Sequence, residues 1–503
     1  MKRIIPATMA SQHPDHAAKP YWHTKEFIST RQEIKECFLA FSELGIQEYK
    51  WDLEGKFVDE SIIEKMFLEH VEYFATQQLG IDKFLTFRLP NPKVETEFRL
   101  GRAFMGIMAA SGLAKQLGLH PKPLFEVILP MTETAEEILN IQEAYEELGS
   151  LKHNLFNMTS DTLRHIEVIP LFEQVETIWN SHTILTDYLA LYKKRYGKQP
   201  AYLRPYIARS DPALNSGLVP TVLAVKVALS RYAQMSQKTG IPLYPILGSA
   251  SLPFRGGLTP YTIKQFTEEY KGIRTALIQS AFRYDYPLQD VKEGIRQLNN
   301  LLIHTSAPVI SKDDEKKLNI ISHDFEKQYK PTIEALAPII NHVAVHIPAR
   351  RERVQHVGLF GYSRGMGKVH LPRAITFTGS LYALGAPPEI IGTGRALKKM
   401  MISDDIGIID RIYPGLRSDL TRAGRFVSKD TVKVLAQQES VVWNDVLEDI
   451  QGVEAYLGSE LGPVTQEEKE HASISSFLVM DLEHIHTYEE QLNNQALLRK
   501  SIG

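Results

Sequence analysis

Apolar runs of strand length recur along the chain, and most are followed by a longer stretch with helical spacing. The runs are "IQEYKWDL" (46–53), "KFLTFRL" (83–89), "PLFEVILPM" (123–131), "IEVIPLF" (166–172), "AYLRPYIA" (201–208), "IPLYPIL" (241–247), "TALIQSAF" (275–282) and "HVAVHIP" (342–348). Between them, segments such as "AEEILNIQEAYEEL" and "TVLAVKVALSRYAQMSQ" place apolar residues three and four apart, the signature of a helix with one buried face. Eight strand–helix alternations predict a parallel sheet, and the count favours a closed (β/α)8 barrel of the TIM type over an open sheet. "RIIPATMA" (3–10) is a ninth strand candidate, which leaves the register of the eight open. Residues 1–348 are therefore expected to form an α/β barrel with inserted helices. Residues 349–503 are expected to form a basic loop and a helical part packed on that barrel as one continuous unit.

A barrel makes a claim about chemistry, because functional groups in this fold sit at the carboxyl ends of the strands. The residues expected there are Asp52, Glu54, Arg88, Thr132, Glu133, Glu173, Arg209, Asp211, Ser249 to Arg255, and Arg283. Carboxylates and arginines together suit a divalent cation and an anionic substrate. Glu173 in "LFEQ" and Asp211 in "ARSDPALNSG" end consecutive strands and could bind Mg²⁺ or Mn²⁺, with water and substrate oxygens completing the shell. Equally, Glu173 could cap the following helix and Asp211 could form a turn before Pro212. "LGSASLPFRGGLTP" (247–260) could bring backbone N–H groups to a phosphate while Arg255 neutralises it, or could simply turn the chain. "GYSRGMGKVHLPRA" (361–374) is not a P-loop, since Tyr362 stands where the first glycine belongs and Val369 follows Lys368. It reads better as a mobile lid carrying Arg364 and Arg373. His13, just past a short apolar strand, is a candidate acid or base, although it is one of 17 histidines.

Composition narrows the partners. The 503-residue chain is 43% hydrophobic and 23% charged with a net charge of −3, so nothing global favours nucleic acid or an anionic membrane. The basic stretch "PARRERVQHVGLFGYSRGMGKVHLPR" has few aromatic residues interleaved, which argues against a nucleic-acid surface. A single cysteine, Cys37, rules out an intramolecular disulfide and fits a reducing cytoplasm. No run reaches the ~20 apolar residues of a membrane span, and the polar start is no signal peptide.

Several strings together resemble the phosphoenolpyruvate carboxylases, in their short, archaeal-type branch. They are "TMASQHPDH", "WDLEGK", "VIPLFEQVETI", "ARSDPALNSG", "FRGGLTP", and "LPRAI" followed by "PPEIIGTGRAL", in the expected order from residue 8 to about residue 397. The resemblance implies His13 as the group assisting carboxyphosphate breakdown. It implies Glu173 and Asp211 as ligands of Mg²⁺ or Mn²⁺, and Arg255, Arg373 and Arg364 as anion-binding arginines. The implied reaction joins phosphoenolpyruvate and bicarbonate into oxaloacetate and phosphate, through carboxyphosphate and an enolate whose oxygen the metal stabilises. It also implies a cytoplasmic homotetramer.

The chain departs from the longer members of the family. Their lysine three residues after the metal-binding aspartate is Leu214 here, and a histidine and an arginine of their glycine-rich loop align with Leu247 and Ser249. Arg204 and Arg209, on the strand before Asp211, could restore the missing charge. "LLRKSIG" loosely resembles the family's tail that folds back towards the site. Two other functions need fewer of these groups: a metal-dependent barrel lyase acting through an enolate without phosphate chemistry, and a non-catalytic, anion-sensing barrel.

Overall fold

The computed structural model describes residues 4–56, 58–95, 98–150, 165–351, 364–366, 369–403, 405–438 and 441–503. Eight parallel strands close into a barrel in chain order: β1 (Thr8–Ser11), β2 (Glu48–Asp52), β3 (Phe84–Arg88), β4 (Glu126–Leu129), β5 (Glu167–Phe172), β6 (Tyr206–Ile207), β7 (Ile246–Leu247) and β8 (Thr275–Ile278). Closure is made by β1 against β8, with Thr8 opposite Ala276 and Ala10 opposite Ile278. A separate hairpin, β9 (Arg364–Met366) and β10 (Val369–Leu371), is antiparallel.

The ninth candidate is thus the first strand, and "HVAVHIP" is no strand at all. His342 to Ala344 end a 33-residue helix, Lys312–Ala344, and Val345 beyond it is 76% exposed. Alternation over a few residues mimics a strand, but Ile333, Leu336, Ala337, Ile340, Val343 and Ala344 are all buried at helical spacing, and this longer period decides the element.

Alternation sorts each strand into two faces. On β2, Tyr49 and Trp51 face outward into the core between barrel and helices, while Glu48 and Asp52 bond across the barrel interior with Lys50 between them. An apolar plug of Met9, Ile128, Ile169, Leu171, Tyr206, Ala208, Ile246 and Leu277 fills the interior. Two strands are short for a covalent reason. Pro205 and Pro245 have no N–H to donate, so the β6–β7 ladder is interrupted and resumes only as a bridge between Leu203 and Leu243.

Helix Leu218–Thr239, apolar on most of its surface, is buried between helix Val175–Tyr196 and helix Lys312–Ala344. Pro220 sits in its first turn, where its missing N–H leaves no bond unmade, and Gly240 at φ +74° ends it. Part of the helical region after residue 371 packs against the carboxyl end of the barrel. Phe377 stacks on Phe254, Glu389 accepts from the Phe254 N–H, and Arg422 donates to the carbonyls of Ser251 and Gly257. Among the described residues no helix is long and apolar enough to cross a membrane.

Candidate active site

The strand ends open into a cavity of about 460 Å³, whose lining includes His13, Lys50, Glu54, Arg88, Glu173, Arg209, Asp211, Arg255, Gln279 and Arg373. Residues far apart in the chain meet here because most of them end or follow barrel strands. The segment Ile347–Arg351 and the start of helix Ala374–Ala383 complete the wall.

His13 follows β1, with its Nδ1 2.9 Å from the Ser11 hydroxyl. Its carbonyl accepts from Ser280, whose hydroxyl also contacts Asp15, so the segment is tied to the end of β8. The second histidine of "HPDH" has a different task. His16 is fully buried between Ser280 and the Glu26 carbonyl, and burial pushes its pKa down to about 3, so it stays neutral and holds the turn.

Glu173 leaves β5 only 7% exposed, and its Oε2 accepts from the Met131 N–H at 2.8 Å. Met131 adopts φ +52°, a conformation that a β-carbon disfavours, and in it the N–H meets the carboxylate. Asp211 lies in the first turn of helix Ser210–Ser216. Both are hard oxygen donors lining one cavity, which fits a divalent cation. Among the described residues no group of three or more His, Cys, Asp or Glu is placed to hold a metal, so substrate oxygens and water would fill the remaining positions.

Facing them is a charge network on β2 and β3. Asp52 Oδ1 accepts from Lys50 Nζ at 2.9 Å and from Arg88 Nε at 2.8 Å, and Arg88 also pairs with Glu54. Burial raises the pKa of the Glu54 carboxyl; Arg88 pulls it back, and the negative charge of Glu173 pushes it further up.

Arg255 is 2% exposed and heavily committed. It donates to Ser210 at 3.0 Å and to Gln279 at 2.7 Å, lies 3.5 Å from Asp15, and bonds the Gly503 oxygen. Residues 501–503 are buried beside it, with the Ile502 N–H on the Asp15 carbonyl at 2.7 Å. The tail therefore reaches the site. The loose resemblance of "LLRKSIG" to the family's tail implies this placement, although no periodicity or charge pattern in it predicts the contact. Arg373 is exposed at the cavity edge, as N-cap of its helix. Of the expected lid, residues 361–363, 367 and 368 lie outside the described residues; Arg364 is described only as backbone of β9, its side chain lying outside them.

Of the two arginines expected to replace the lysine at Leu214, Arg209 lines the cavity and Arg204 does not. Arg204 is buried at the amino ends of the strands, away from the cavity lining, donating to Glu48 at 2.6 and 3.0 Å, Glu126 at 2.6 Å and Thr275 at 3.2 Å. It comes before β6 and not at its end, and two carboxylates in the barrel floor consume its charge. Arg209 lines the cavity; its Nη2 donates to the Pro253 carbonyl at 3.3 Å, its charge acts also on Tyr270 and Asp419, and among the described residues its Nε and Nη1 are buried without a hydrogen-bond partner. Leu214 is fully buried, its carbonyl accepting from Tyr329 at 2.9 Å; a lysine there would bury its ammonium in the apolar core.

A family model described as phosphoenolpyruvate carboxylase matches residues 5–503. The phosphoenolpyruvate carboxylase of Leuconostoc mesenteroides is 41% identical over 475 residues, covering 94% of each chain. That of Oenococcus oeni is 39% identical across all of this chain and 99% of its own. That of Metallosphaera sedula is 38% identical over the full length of both. With the barrel closed and charged groups from its strand ends gathered in one cavity, a match of this extent has one meaning: the chain belongs to the phosphoenolpyruvate carboxylase family.

Proposed function

We propose that this chain forms oxaloacetate and inorganic phosphate from phosphoenolpyruvate and bicarbonate. The observation that carries the reading is the meeting of His13, Glu173, Asp211, Arg255 and Arg373 in one cavity at the carboxyl end of a barrel of this family. The chemistry asks for those groups. Bicarbonate is a poor nucleophile and the phosphoryl group is anionic, so cationic side chains must offset repulsion and hold the two in line. Transfer of the phosphoryl group to a bicarbonate oxygen breaks the C–O–P linkage and leaves carboxyphosphate and the enolate of pyruvate. Glu173 and Asp211 would hold a divalent cation, Mg²⁺ or Mn²⁺, which supplies positive charge where the enolate oxygen develops. His13 takes the carboxyphosphate proton as that species splits into phosphate and CO2, and the enolate carbon then captures the CO2. Water must be kept out, since a proton on the enolate carbon would yield pyruvate. A cytoplasmic homotetramer belongs to the same reading.

Bicarbonate-dependent oxaloacetate formation, coupled to NADH oxidation and run beside a phosphate-release assay, tests this directly. The expected result is one phosphate per oxaloacetate, and His13→Asn is expected to cut oxaloacetate formation by about 10²–10⁴-fold, the usual contribution of a positioned acid–base group. Phosphoenolpyruvate left intact in the presence of bicarbonate and Mg²⁺ would sink the proposal and favour a lyase without phosphate chemistry or an anion-sensing barrel.

A further inference from the structure

Arg204 does not deliver the charge absent at Leu214, and Arg209, which lines the cavity, is not the only other candidate source. Lys50 is the only lysine lining the cavity among the described residues. It is reached through strand geometry: Glu48, Lys50 and Asp52 alternate inward along β2. Glu48 is bound to Arg204 in the barrel floor, Asp52 stands at the strand end, and Lys50 sits one layer below the rim. The same cavity wall includes Leu171 and Leu277, side chains that offer an ammonium no hydrogen bond.

The ammonium is fully buried, and its hydrogen bond among the described residues is to Asp52 Oδ1, an oxygen it shares with Arg88. One of three donors is therefore used. A second cation beside Arg88, with one carboxylate oxygen between them, is a costly arrangement in a protein that needs only to fold. Burial, and then the charge of Arg88, push its pKa down to about 8 against the pull of Asp52 and Glu54, so a further anion beside it would favour its charged form. Arg204, buried as deeply, is satisfied by two carboxylates; Lys50 is not.

We propose that Lys50 binds an anionic oxygen of phosphoenolpyruvate at the base of the cavity, supplying from β2 the positive charge that longer family members carry on the helix after the sixth strand. The inference rests on the proposed function and goes beyond it, since the resemblance assigns nothing to this lysine. An ammonium there offsets the charge of the bound substrate from below, while Arg255 and Arg373 line the cavity above the strand ends.

The test is steady-state kinetics with calorimetric binding of phosphoenolpyruvate in the absence of bicarbonate, on wild type, Lys50→Met and Lys50→Arg. Lys50→Met is expected to raise KM for phosphoenolpyruvate at least tenfold and weaken its binding in parallel, with KM for bicarbonate moving less than threefold. Lys50→Arg keeps the charge and is expected to recover part of the loss; if the methionine variant does not fold, the arginine variant carries the test with a KM raised severalfold. A lysine that serves only to neutralise Asp52 would lower the melting temperature and leave KM and binding unchanged, and that result overturns the proposal. A wild-type chain that neither binds nor consumes phosphoenolpyruvate would overturn the functional reading, and this inference with it.

Discussion

Glu173→Gln should fold normally and lose divalent-cation-dependent turnover, with kcat down on the order of 10²–10³ or more, the usual size of one preorganised electrostatic contribution. The substitution is nearly isosteric. A glutamine Oε1 can still accept the Met131 N–H that Glu173 Oε2 now accepts at 2.8 Å, so the turn at Met131, strained at φ +52°, keeps its partner. What disappears is one negative charge in a cavity where Glu54 and Asp211 remain. A carboxamide is a weaker ligand than a carboxylate for a hard dication, so a shift of the Mg²⁺ or Mn²⁺ saturation curve to higher concentration should accompany the loss. The same change removes a repulsive neighbour of Glu54, whose carboxyl should then ionise more readily. Turnover assayed across a metal titration, with circular dichroism as the fold control, checks the claim. Full activity at the wild-type metal concentration would mean that Glu173 only holds the turn at Met131.

Arg204→Met should do the opposite, costing stability by about 3–5 kcal/mol, the usual penalty for removing one partner of a buried ion pair. The guanidinium is 2% exposed and joins β2, β4 and β8 at their amino ends through Glu48, Glu126 and Thr275. Burial pulls its pKa down, and the two carboxylates more than reverse that. Without it, two carboxylates are left in the barrel floor without their shared counter-ion. Urea denaturation should show an earlier midpoint, while the protein that remains folded keeps its wild-type KM for phosphoenolpyruvate, because Arg204 lies away from the cavity. A raised KM with unchanged stability would return Arg204 to the site, where its position in "LRPYIARSD" suggested it belonged.

The contrast between these two residues marks what can be read from the chain. Strand ends carrying a charge, such as Glu173 after "VIPLF", announce themselves because a run of buried positions stops at a group that needs solvent or a ligand. Arg204 lies in a similar run, but Pro205 interrupts the ladder, so β6 occupies only the end of that run and Arg204 precedes it. The direction of the charge then depends on two or three positions of register that no local pattern specifies. "HVAVHIP" misled for the converse reason: its alternation is local, and only the burial of a 33-residue helix shows which period governs. Lys50 was hidden in plain alternation. "EYKWD" reads as a strand with mixed faces, and nothing in it says that the inward column crosses from the ionic floor into the cavity. Contacts such as Arg255 with Gly503 depend wholly on tertiary placement.

The pairing of β1 with β8 carries a cost of another kind. Thr8–Ser11 finds β2 within a few dozen residues, but its other edge stays open until Thr275–Ile278 arrives, a contact that spans most of the barrel's chain. Long-range pairing of this sort is slow to form, because the entropy of closing the loop is lost before the contact returns any free energy. His13 follows that strand directly and is fastened to Ser280, just beyond its late partner. The group proposed to take the reaction's proton is thus translated early but fastened to a residue 267 positions further along, and an incompletely closed chain exposes a bare strand edge with that histidine not yet held in place.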